Sequence, residues 1–353
     1  MIQLYHARID MSSRSKNEVG FSRFCIMNFL AYVFVLMKGI DYGTTPFFTI
    51  ELSHSCDTLD ILALRFLLSL CVMWVLKSFK IIKVSVGVRD ILLCTERRPF
   101  MKSLLLTAIF EPVLYMFFET AGISMTNGIT TAVVLSLSPV ISCACEMIFF
   151  KEHPTHLQAV FLGLGMFGAI YIAVNTGSSE GKSSIVGILF IILAMLCGSL
   201  FFVFSRKSSS HFSSMEITYI SCILGAVAFN SVNIVRHLVA GDILHYFDPY
   251  FSLGNLVGFI VLGVFSTIVA TSMNNYAISK LSITTMAAFG GVSTIVTVLV
   301  GVIFGGESIE VYHLIGFSFI LARMIGVSAV SIAREKKAKK KPAAEVSTAD
   351  STA

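Results

Sequence analysis

The sequence predicts an all-α integral membrane protein, with ten transmembrane helices arranged as two inverted five-helix repeats. Three observations predict this fold class: an apolar composition, ten long apolar segments, and a motif that occurs once in each half. Hydrophobic residues make up 55% of the 353 residues and charged residues only 13%, against roughly 25% charged residues in soluble domains. A chain of this composition belongs in a bilayer and does not fit a two-domain soluble protein.

The ten apolar segments are about as long as a span requires, since a helix needs roughly 20 residues to cross a ~30 Å hydrocarbon core. They lie at residues 28–50, 59–76, 101–123, 127–150, 155–174, 185–205, 215–235, 252–273, 283–304 and 309–332. The first segment is the least regular, because Lys38 and Asp41 interrupt it. The chain then divides into a tail at 1–27, a first repeat at 28–176, a second repeat at 185–333, and a basic tail at 334–353 that we expect to be disordered.

The motif that occurs in both halves begins Ile-Thr-Thr, at Ile129 and again at Ile283. Each copy continues through one apolar span to a Glu, and carries Gln158 or His313 six residues later. Because five helices separate equivalent points, the second copy enters the bilayer from the opposite side. Inverted repeats of this kind are typical of secondary transporters, whose halves rock about a central site.

Lysine and arginine are distributed unequally between the two sides of the membrane. Of the 26 such residues, 21 lie in the tails and in the loops after helices 2, 4, 6 and 8. Two lie on the other side, Lys182 and Arg236, and three lie inside spans, Lys38, Arg65 and Arg323. Positive loops face the cytoplasm, so we expect both termini to be cytoplasmic and the protein to lie in the plasma membrane. The net charge of +5 follows from this topology and does not indicate a nucleic-acid partner.

The stretch GLGMFG, at residues 163–168, matches the glycine spacing of dinucleotide-binding loops. It lies inside an apolar run with no strand before it, which that function requires. Gly165, Ala169 and Ala173 are four apart, and small residues at this spacing let membrane helices approach closely. We therefore expect helix packing and no nicotinamide cofactor.

No other cofactor, metal site or catalytic group is expected. The eight cysteines are scattered and the histidines are dispersed. The sequence contains no HExxH, GxSxG or Walker motif, which disfavours a metalloprotease, an α/β-hydrolase-type enzyme and an ATP-driven pump. An integral-membrane enzyme or a channel stays open as a different class of function.

Ionisable groups at membrane depth are costly to bury, so each one is a functional candidate. Glu111, Tyr115 and Glu119 lie four apart on predicted helix 3 and share one face. They form either a polar cavity wall in which one Glu carries a proton, or an ion pair with Arg65 or Arg323. Pro112 removes a backbone hydrogen bond and is expected to let this helix bend.

The in-span cations have similar alternatives. Lys38 and Asp41, three apart, form either a neutral pair or a contact with substrate. Arg65 either extends to the interface or binds substrate. Arg323 lies near the middle of its span and needs a partner; the candidates are Glu146, Glu111 and Glu119.

Uncharged polar residues complete the candidate pathway. Ser136 on helix 4 either lines the cavity or bonds between helices. Asn274 and Asn275 on helix 8 are the polar counterpart of the helix 3 face; they serve as substrate contacts or as a gate, or are simply exposed at the interface.

Residues 110–152, which contain FEPVLYMFFETAGISMTNGITTAVVLSLSPV, resemble the third and fourth helices of EamA-type members of the drug/metabolite transporter superfamily. ALRF around Arg65 and GGES followed by YHLIGF after helix 9 are similar to the same pattern. The resemblance covers roughly residues 28–333. It implies ten helices in two inverted units and transport, often export, of amino acids or other small metabolites.

The function expected from these observations is a secondary transporter that exports an amino acid or a similar zwitterion or cation by alternating access. The in-span carboxylates Asp41, Glu111, Glu119 and Glu146 outnumber the three in-span cations, which disfavours the alternative of a nucleotide-sugar or sugar-phosphate exchanger. The expected partners are the lipid bilayer, a small-molecule substrate and protons. A homodimer is compatible with the sequence.

Overall fold

The computed structural model describes residues 27, 29–45, 47–49, 51–85, 98–125, 134, 135, 137–176, 184–305 and 310–349. Within these residues the chain forms helices joined by turns, and no β-strand. We number the main helices in chain order: α1, 29–45; α2, Thr58–Ser78; α3, Arg98–Ala108, Ile109–Leu114 and Tyr115–Ser124; α4, Ser138–Phe150; α5, His156–Thr176; α6, Ile185–Ser208; α7, Ser214–Ala240; α8, Leu253–Ile260, Val261–Ala270 and Thr271–Ile278; α9, Ile283–Phe289 and Gly291–Gly305; α10, Val311–Ala349.

Several of these helices have the length and composition of a membrane span. In the described residues six qualify: Thr58–Ser78, Phe100–Glu119, Ile185–Ser208, Ser214–Ala240, Leu253–Ile278 and Val311–Arg334. Three further apolar helices are shorter, at Ser138–Phe150, His156–Ile172 and Ile283–Thr297. The chain is therefore an all-helical membrane protein, while the count of ten spans stays a prediction.

Local sequence explains where the long helices start and stop. Ser213 and Glu216 form a capping box at the start of α7, with the Ser213 hydroxyl accepting from the Glu216 amide at 3.3 Å. The same helix ends at Gly241, whose φ of +79° is the left-handed conformation that glycine adopts without strain. Ser282 caps α9 in the same manner, by accepting from the Thr285 amide at 3.2 Å.

The residues that the repeated motif aligns have equivalent structural roles. Gln158 accepts a hydrogen bond from the Thr155 amide at 2.9 Å at the start of α5. His313 accepts one from the Glu310 amide at 3.1 Å at the start of α10. Each side chain satisfies an amide three residues before it that has no partner within the helix. The motif therefore marks the same helix start in each half.

Two helices depart from regular α-helical geometry, and they do so at corresponding points. In α3 the turn Ile109–Leu114 contains Glu111 with extended backbone angles, φ −139° and ψ 123°, directly before Pro112. The bend predicted at Pro112 is confirmed. In α8 the segment Val261–Ala270 is π-helical. Glu111 precedes Ile129 by as many residues as Phe265 precedes Ile283, so the bend in α3 and the π-helical segment of α8 occupy equivalent positions in the two repeats; we call both interruptions.

The last helix is longer than the sequence predicts. Disorder was expected from residue 334 onward, but α10 continues to Ala349. The segment after Arg334 is rich in lysine and alanine, and both residues favour helix. Here helix propensity outweighs the charge density on which the prediction of disorder depended.

The glycines of GLGMFG pack α5 against α10. A Cβ atom on Gly168 would lie 2.7 Å from the Phe319 Cβ and 2.8 Å from the Gly316 carbonyl oxygen. A Cβ on Gly163 would have no neighbour within 4 Å. Gly165 differs from both, because its absent side chain leaves room for Arg323, whose Cδ would lie 2.2 Å from a Cβ there. Gly168, which was not part of the predicted stripe, thus lets α5 and α10 approach closely, while Gly165 accommodates the side chain of Arg323.

We expect Gly168→Ala to destabilise the protein by about 1–3 kcal/mol, because the methyl group meets backbone and Cβ atoms that have no room to move. Gly163→Ala is the matched control on the same helix and should be neutral or slightly stabilising. Thermal unfolding of the two purified variants measures the difference. Equal unfolding temperatures would show that α5 and α10 do not pack closely at Gly168.

Candidate functional site

Seven side chains from the first three helices form the candidate site, which we call the central cluster. They are Lys38, Asp41 and Tyr42 of α1, Arg65 of α2, and Glu111, Tyr115 and Glu119 of α3. Arg65 is 7% exposed, and Glu111 and Glu119 are half-buried. Six of the seven were predicted from the sequence; Tyr42 was missed, although its position one residue after Asp41 was a usable signal.

Lys38 and Asp41 do not form the predicted neutral pair. The Lys38 ammonium lies over the Tyr42 ring, 4.6 Å from its centroid, and is attracted by the Glu111 carboxylate on α3. The Asp41 Oδ2 atom is buried without a hydrogen-bond partner. Helical spacing allowed the pair, but the two side chains point to different neighbours. Asp41 is hydrogen-bonded to Ser266 on α8.

Arg65 is directed into the protein instead of extending to the interface. Its Nη2 and Nε donate to the Thr267 hydroxyl on α8, at 2.9 and 3.3 Å. Thr267 also donates to the Leu262 carbonyl at 2.8 Å, a bond that the π-helical segment makes available. Tyr42 lies 3.4 Å from the Thr271 hydroxyl. The interrupted part of α8 thus supplies the polar partners of α1 and α2.

Tyr115 and Glu119 share one face of α3 as predicted, whereas Glu111 lies at the bend, where the backbone is not helical. Tyr115 donates to Glu119 Oε1 at 2.6 Å, and Glu119 is attracted by the positive charge of Arg65. Glu111 lies at the bend and is attracted by Lys38. In the described residues neither carboxylate forms a salt bridge at contact distance. Opposite charges therefore face one another across the α1, α2 and α3 junction without direct pairing.

A small cavity adjoins the cluster between α1 and α9. Its volume is about 10 Å³, and it is lined by Val35, Lys38, Gly39, Tyr42, Met286, Phe289, Gly290 and Ser293. A cavity of this size holds about one water molecule, whereas small-molecule sites usually measure roughly 300–1,000 Å³. This cavity is therefore too small for a metabolite in this conformation.

Arg323 lies apart from the central cluster, on α10. Its side chain, 5% exposed, passes between two glycines. It would come within 2.2 Å of a Cβ on Gly165 and, through Nη2, within 2.5 Å of a Cβ on Gly291. Its Nε is buried with no hydrogen-bond partner. None of the three carboxylates proposed from the sequence pairs with it in the described structure.

Glu146 has a different and well-defined role. It is 2% exposed and accepts hydrogen bonds from the backbone amides of Ile283 at 2.7 Å and Thr284 at 2.8 Å, and from the Thr284 hydroxyl. Arg206 neutralises it at 3.2 Å and also pairs with Glu152 at 3.0 Å. The carboxylate thus caps α9 and joins α4 to α6. Glu146 is therefore already paired in the described structure, unlike the other in-span carboxylates with which it was grouped.

Of the uncharged candidates, Asn275 connects helices. Asn275 accepts from Ser205 at 2.8 Å and donates to Thr218 at 3.1 Å, so it holds α8 against α6 and α7. Asn274 is 1% exposed, and its Oδ1 lacks a partner. Ser136 lies outside the described residues.

A second polar cluster, missed by the sequence analysis, joins α2 to α7; we call it the Asp60 cluster. Asp60 accepts from Asn233 at 2.9 Å, from Arg236 at 2.7 Å and from His237 at 2.9 Å. The other His237 ring nitrogen lies 2.9 Å from Asp242 Oδ1. Only the protonated imidazole donates from both nitrogens. The usable signal was Asp60 itself, which lies inside the predicted second span.

A cavity of about 310 Å³ opens beside the Asp60 cluster, lined by Ser55, Asp60, His237, His245, Tyr246, Asp248, Pro249 and Asn255. Burial raises the pKa of Tyr246, so its hydroxyl stays neutral and donates to Asn230 at 2.6 Å. Arg206, the partner of Glu146, lies near the end of α6, next to the start of α7, whereas His237 lies near the end of α7. Because α7 runs about 30 Å from Glu216 to His237, Glu146 and the Asp60 cluster lie at opposite ends of the bundle.

Comparisons with known proteins agree with this architecture. The chain is 30% identical over 310 residues to an uncharacterized transporter, YcxC, of Bacillus subtilis (strain 168), covering 88% of this chain and 95% of the relative. It is 24% identical over 331 residues to an uncharacterized transporter of Clostridium kluyveri, covering 91% of this chain and 99% of that protein. A crystal structure with 12% sequence identity superposes with a TM-score of 0.65, covering 86% of this chain and 98% of that one, and this likeness shows the fold alone.

The comparison with family models identifies the two halves separately. The model described as the EamA-like transporter family matches residues 29–174 and again residues 185–329. These ranges agree closely with the two repeats predicted from the sequence and with the corresponding interruptions of α3 and α8. The resemblance seen in the sequence is confirmed, and the chain belongs to the EamA-like transporter family.

Proposed function

We propose that this protein is a secondary transporter that exports an amino acid, or a similar zwitterion or cation, across the plasma membrane by alternating access. One observation carries the proposal: the two repeats are interrupted at corresponding points, and charged groups of both signs surround the interruptions. Broken helices at equivalent places in two repeats mark the substrate sites of many transporters. Glu111 lies at the first interruption, and Arg65 binds Thr267 in the second.

The contacts at the two ends support alternating access. The Asp60 cluster joins α2 to α7 at one end, and Glu146 joins α4 to α6 and α9 at the other. Between them the cavity at the central cluster measures only about 10 Å³. Substrate therefore enters when one set of contacts separates and leaves when the other does. In the proposed topology, with ten spans and both termini cytoplasmic, the Asp60 cluster faces outward.

The charges of the central cluster favour a substrate that carries an ammonium group. Asp41, Glu111 and Glu119 provide three carboxylates, against the cations Lys38 and Arg65. A phosphate dianion would be repelled by these acids, which disfavours the exchange of nucleotide sugars or sugar phosphates. The ammonium group of a zwitterion or cation is attracted by these carboxylates, and the two cations keep the net charge of the cluster small.

Reconstituted vesicles test the proposal. We expect preloaded L-amino acids to leave vesicles containing the full-length protein faster than empty vesicles, and an imposed pH gradient to change the rate. Arg65→Met should abolish this flux, because it removes the contact between α2 and the α8 interruption. Lys280→Met, outside the central cluster, is the control and should transport normally.

The assay also separates the alternatives. Exchange of nucleotide sugars without movement of amino acids or amines would replace the proposed substrate class. Flux without saturation and without counterflow would indicate a channel, because a channel needs no conformational cycle.

A further inference from the structure

We propose that Arg323 binds a carboxylate group of the transported molecule, at the break in α9 between Phe289 and Gly291. The inference rests on the proposed transport function and specifies its substrate class: the molecule carries a carboxylate, so a simple amine is not transported. The geometry around Arg323, Gly165 and Gly291 carries the argument.

Room for the arginine is created by two absent side chains. Gly165 on α5 faces the Cδ, Nε and Cβ atoms of Arg323, and Gly291 on α9 faces its Nη2. A methyl group at either position would lie within 2.5 Å of the side chain, so alanine at either position would force Arg323 to move. The guanidinium is thus held between three helices, α5, α9 and α10, which restricts its orientation before any ligand arrives.

The positive charge is not satisfied by the described protein. Arg323 Nε is buried without a partner, and within the described ranges the residue forms no hydrogen bond or salt bridge to an acid. An uncompensated cation inside a membrane protein costs several kcal/mol. The other buried arginine, Arg65, has a hydroxyl partner for both Nε and Nη2. Within the described residues, no anion is paired with Arg323.

The position of Arg323 connects this charge to the cavity. Gly290, the neighbour of Gly291, lines the cavity together with Lys38 and Tyr42. Guanidinium binds carboxylate through two parallel hydrogen bonds, a geometry that an ammonium group does not reproduce. Separation of the halves widens the space at Gly290 and lets a carboxylate reach Nε and Nη2. Glu111 and Glu119 then remain for the ammonium end of a zwitterion.

The test measures binding directly, without transport. Purified full-length protein is titrated with L-leucine, L-phenylalanine and L-lysine, then with the matching decarboxylated amines isopentylamine, phenethylamine and cadaverine, while thermal unfolding is followed. We expect at least one amino acid to raise the unfolding temperature and its amine to have no effect. Arg323→Met should weaken that binding about ten-fold or more, which corresponds to loss of charged hydrogen bonds, and Arg323→Lys should weaken it less.

A second readout distinguishes ligand binding from a structural role. Because Arg323 is unpaired, the ligand-free Arg323→Met protein should unfold at the wild-type temperature or above it. Arg334→Met, on the exposed end of the same helix, is the control and should bind normally.

The proposal is overturned if Arg323→Met keeps wild-type affinity, if it unfolds well below wild type, or if none of the amino acids binds. Transport of an amine in vesicles would also overturn it while leaving the transporter assignment intact. Binding that depends on Arg323, with no flux in vesicles, would instead contradict the proposed function alone.

Discussion

Replacing Glu111 or Glu119 by Gln is expected to leave the protein folded and to remove the effect of a pH gradient on transport. Glu111 faces Lys38 and Glu119 accepts from Tyr115, but neither forms a direct salt bridge in the described structure. The amide keeps the size of the side chain and most of its hydrogen bonds, but it cannot bind and release a proton as the carboxylate does. A carboxylate that carries a proton during the cycle cannot be replaced in this manner without loss of coupling.

Counterflow and gradient-driven flux in vesicles check this expectation separately. Counterflow should persist in Glu111→Gln and Glu119→Gln, because it needs substrate binding and movement of the two repeats but no net proton movement. Glu152→Gln, on a half-exposed side chain outside the central cluster, is the control and should behave as wild type. If both variants fold and respond to the pH gradient as wild type does, the two carboxylates are structural.

Glu146→Ala is expected to produce the largest loss of stability, on the order of 2–4 kcal/mol, since it removes several hydrogen bonds to a charged acceptor at once. The amides of Ile283 and Thr284 lose their acceptor at the start of α9, and Arg206 loses its better-buried partner. Arg206 keeps Glu152 and is partly exposed, which limits the penalty. Thermal or denaturant unfolding of the purified protein measures the effect.

The same ion-pair network contains its own control. Glu152 is 47% exposed and, among the described residues, binds only Arg206, so Glu152→Ala should cost at most about 1 kcal/mol. If the two variants lose equal stability, Glu146 does not cap α9.

The repeat and the site could be predicted from sequence for different reasons. The duplicated motif predicted two matching halves because identical spacing produces identical helix starts, as Gln158 and His313 confirm. Helical periodicity placed Tyr115 and Glu119 on one face, and proline predicted the bend at which Glu111 lies. These are local rules that hold wherever a helix forms.

Partners across helices could not be predicted in this manner. Glu146 was considered for Arg323, yet it lies against the start of α9 beside Arg206. Sequence gives the depth of a residue in its span but not its rotation toward a particular neighbour. The Asp60 cluster was missed for a related reason: Asp60 and Arg236 lie far apart in sequence, and only packing of α2 on α7 brings them to 2.7 Å. The contact between Gly165 and Arg323 could not be predicted either, because it depends on how α5 and α10 pack and rotate against one another.

The unequal distribution of charge between the repeats has an electrical consequence. In the described residues, the charged groups of the central cluster all come from α1, α2 and α3, whereas α8 contributes only hydroxyls from Ser266, Thr267 and Thr271. The membrane potential does about 2.3 kcal/mol of work per elementary charge per 100 mV. It therefore acts on the central cluster through the first repeat and on Arg323 through the second, and protonation of one carboxylate in the cluster changes the charge that moves through the field. Voltage and pH consequently act on the same three helices, so the current carried in each cycle should depend on how many of their carboxylates are protonated.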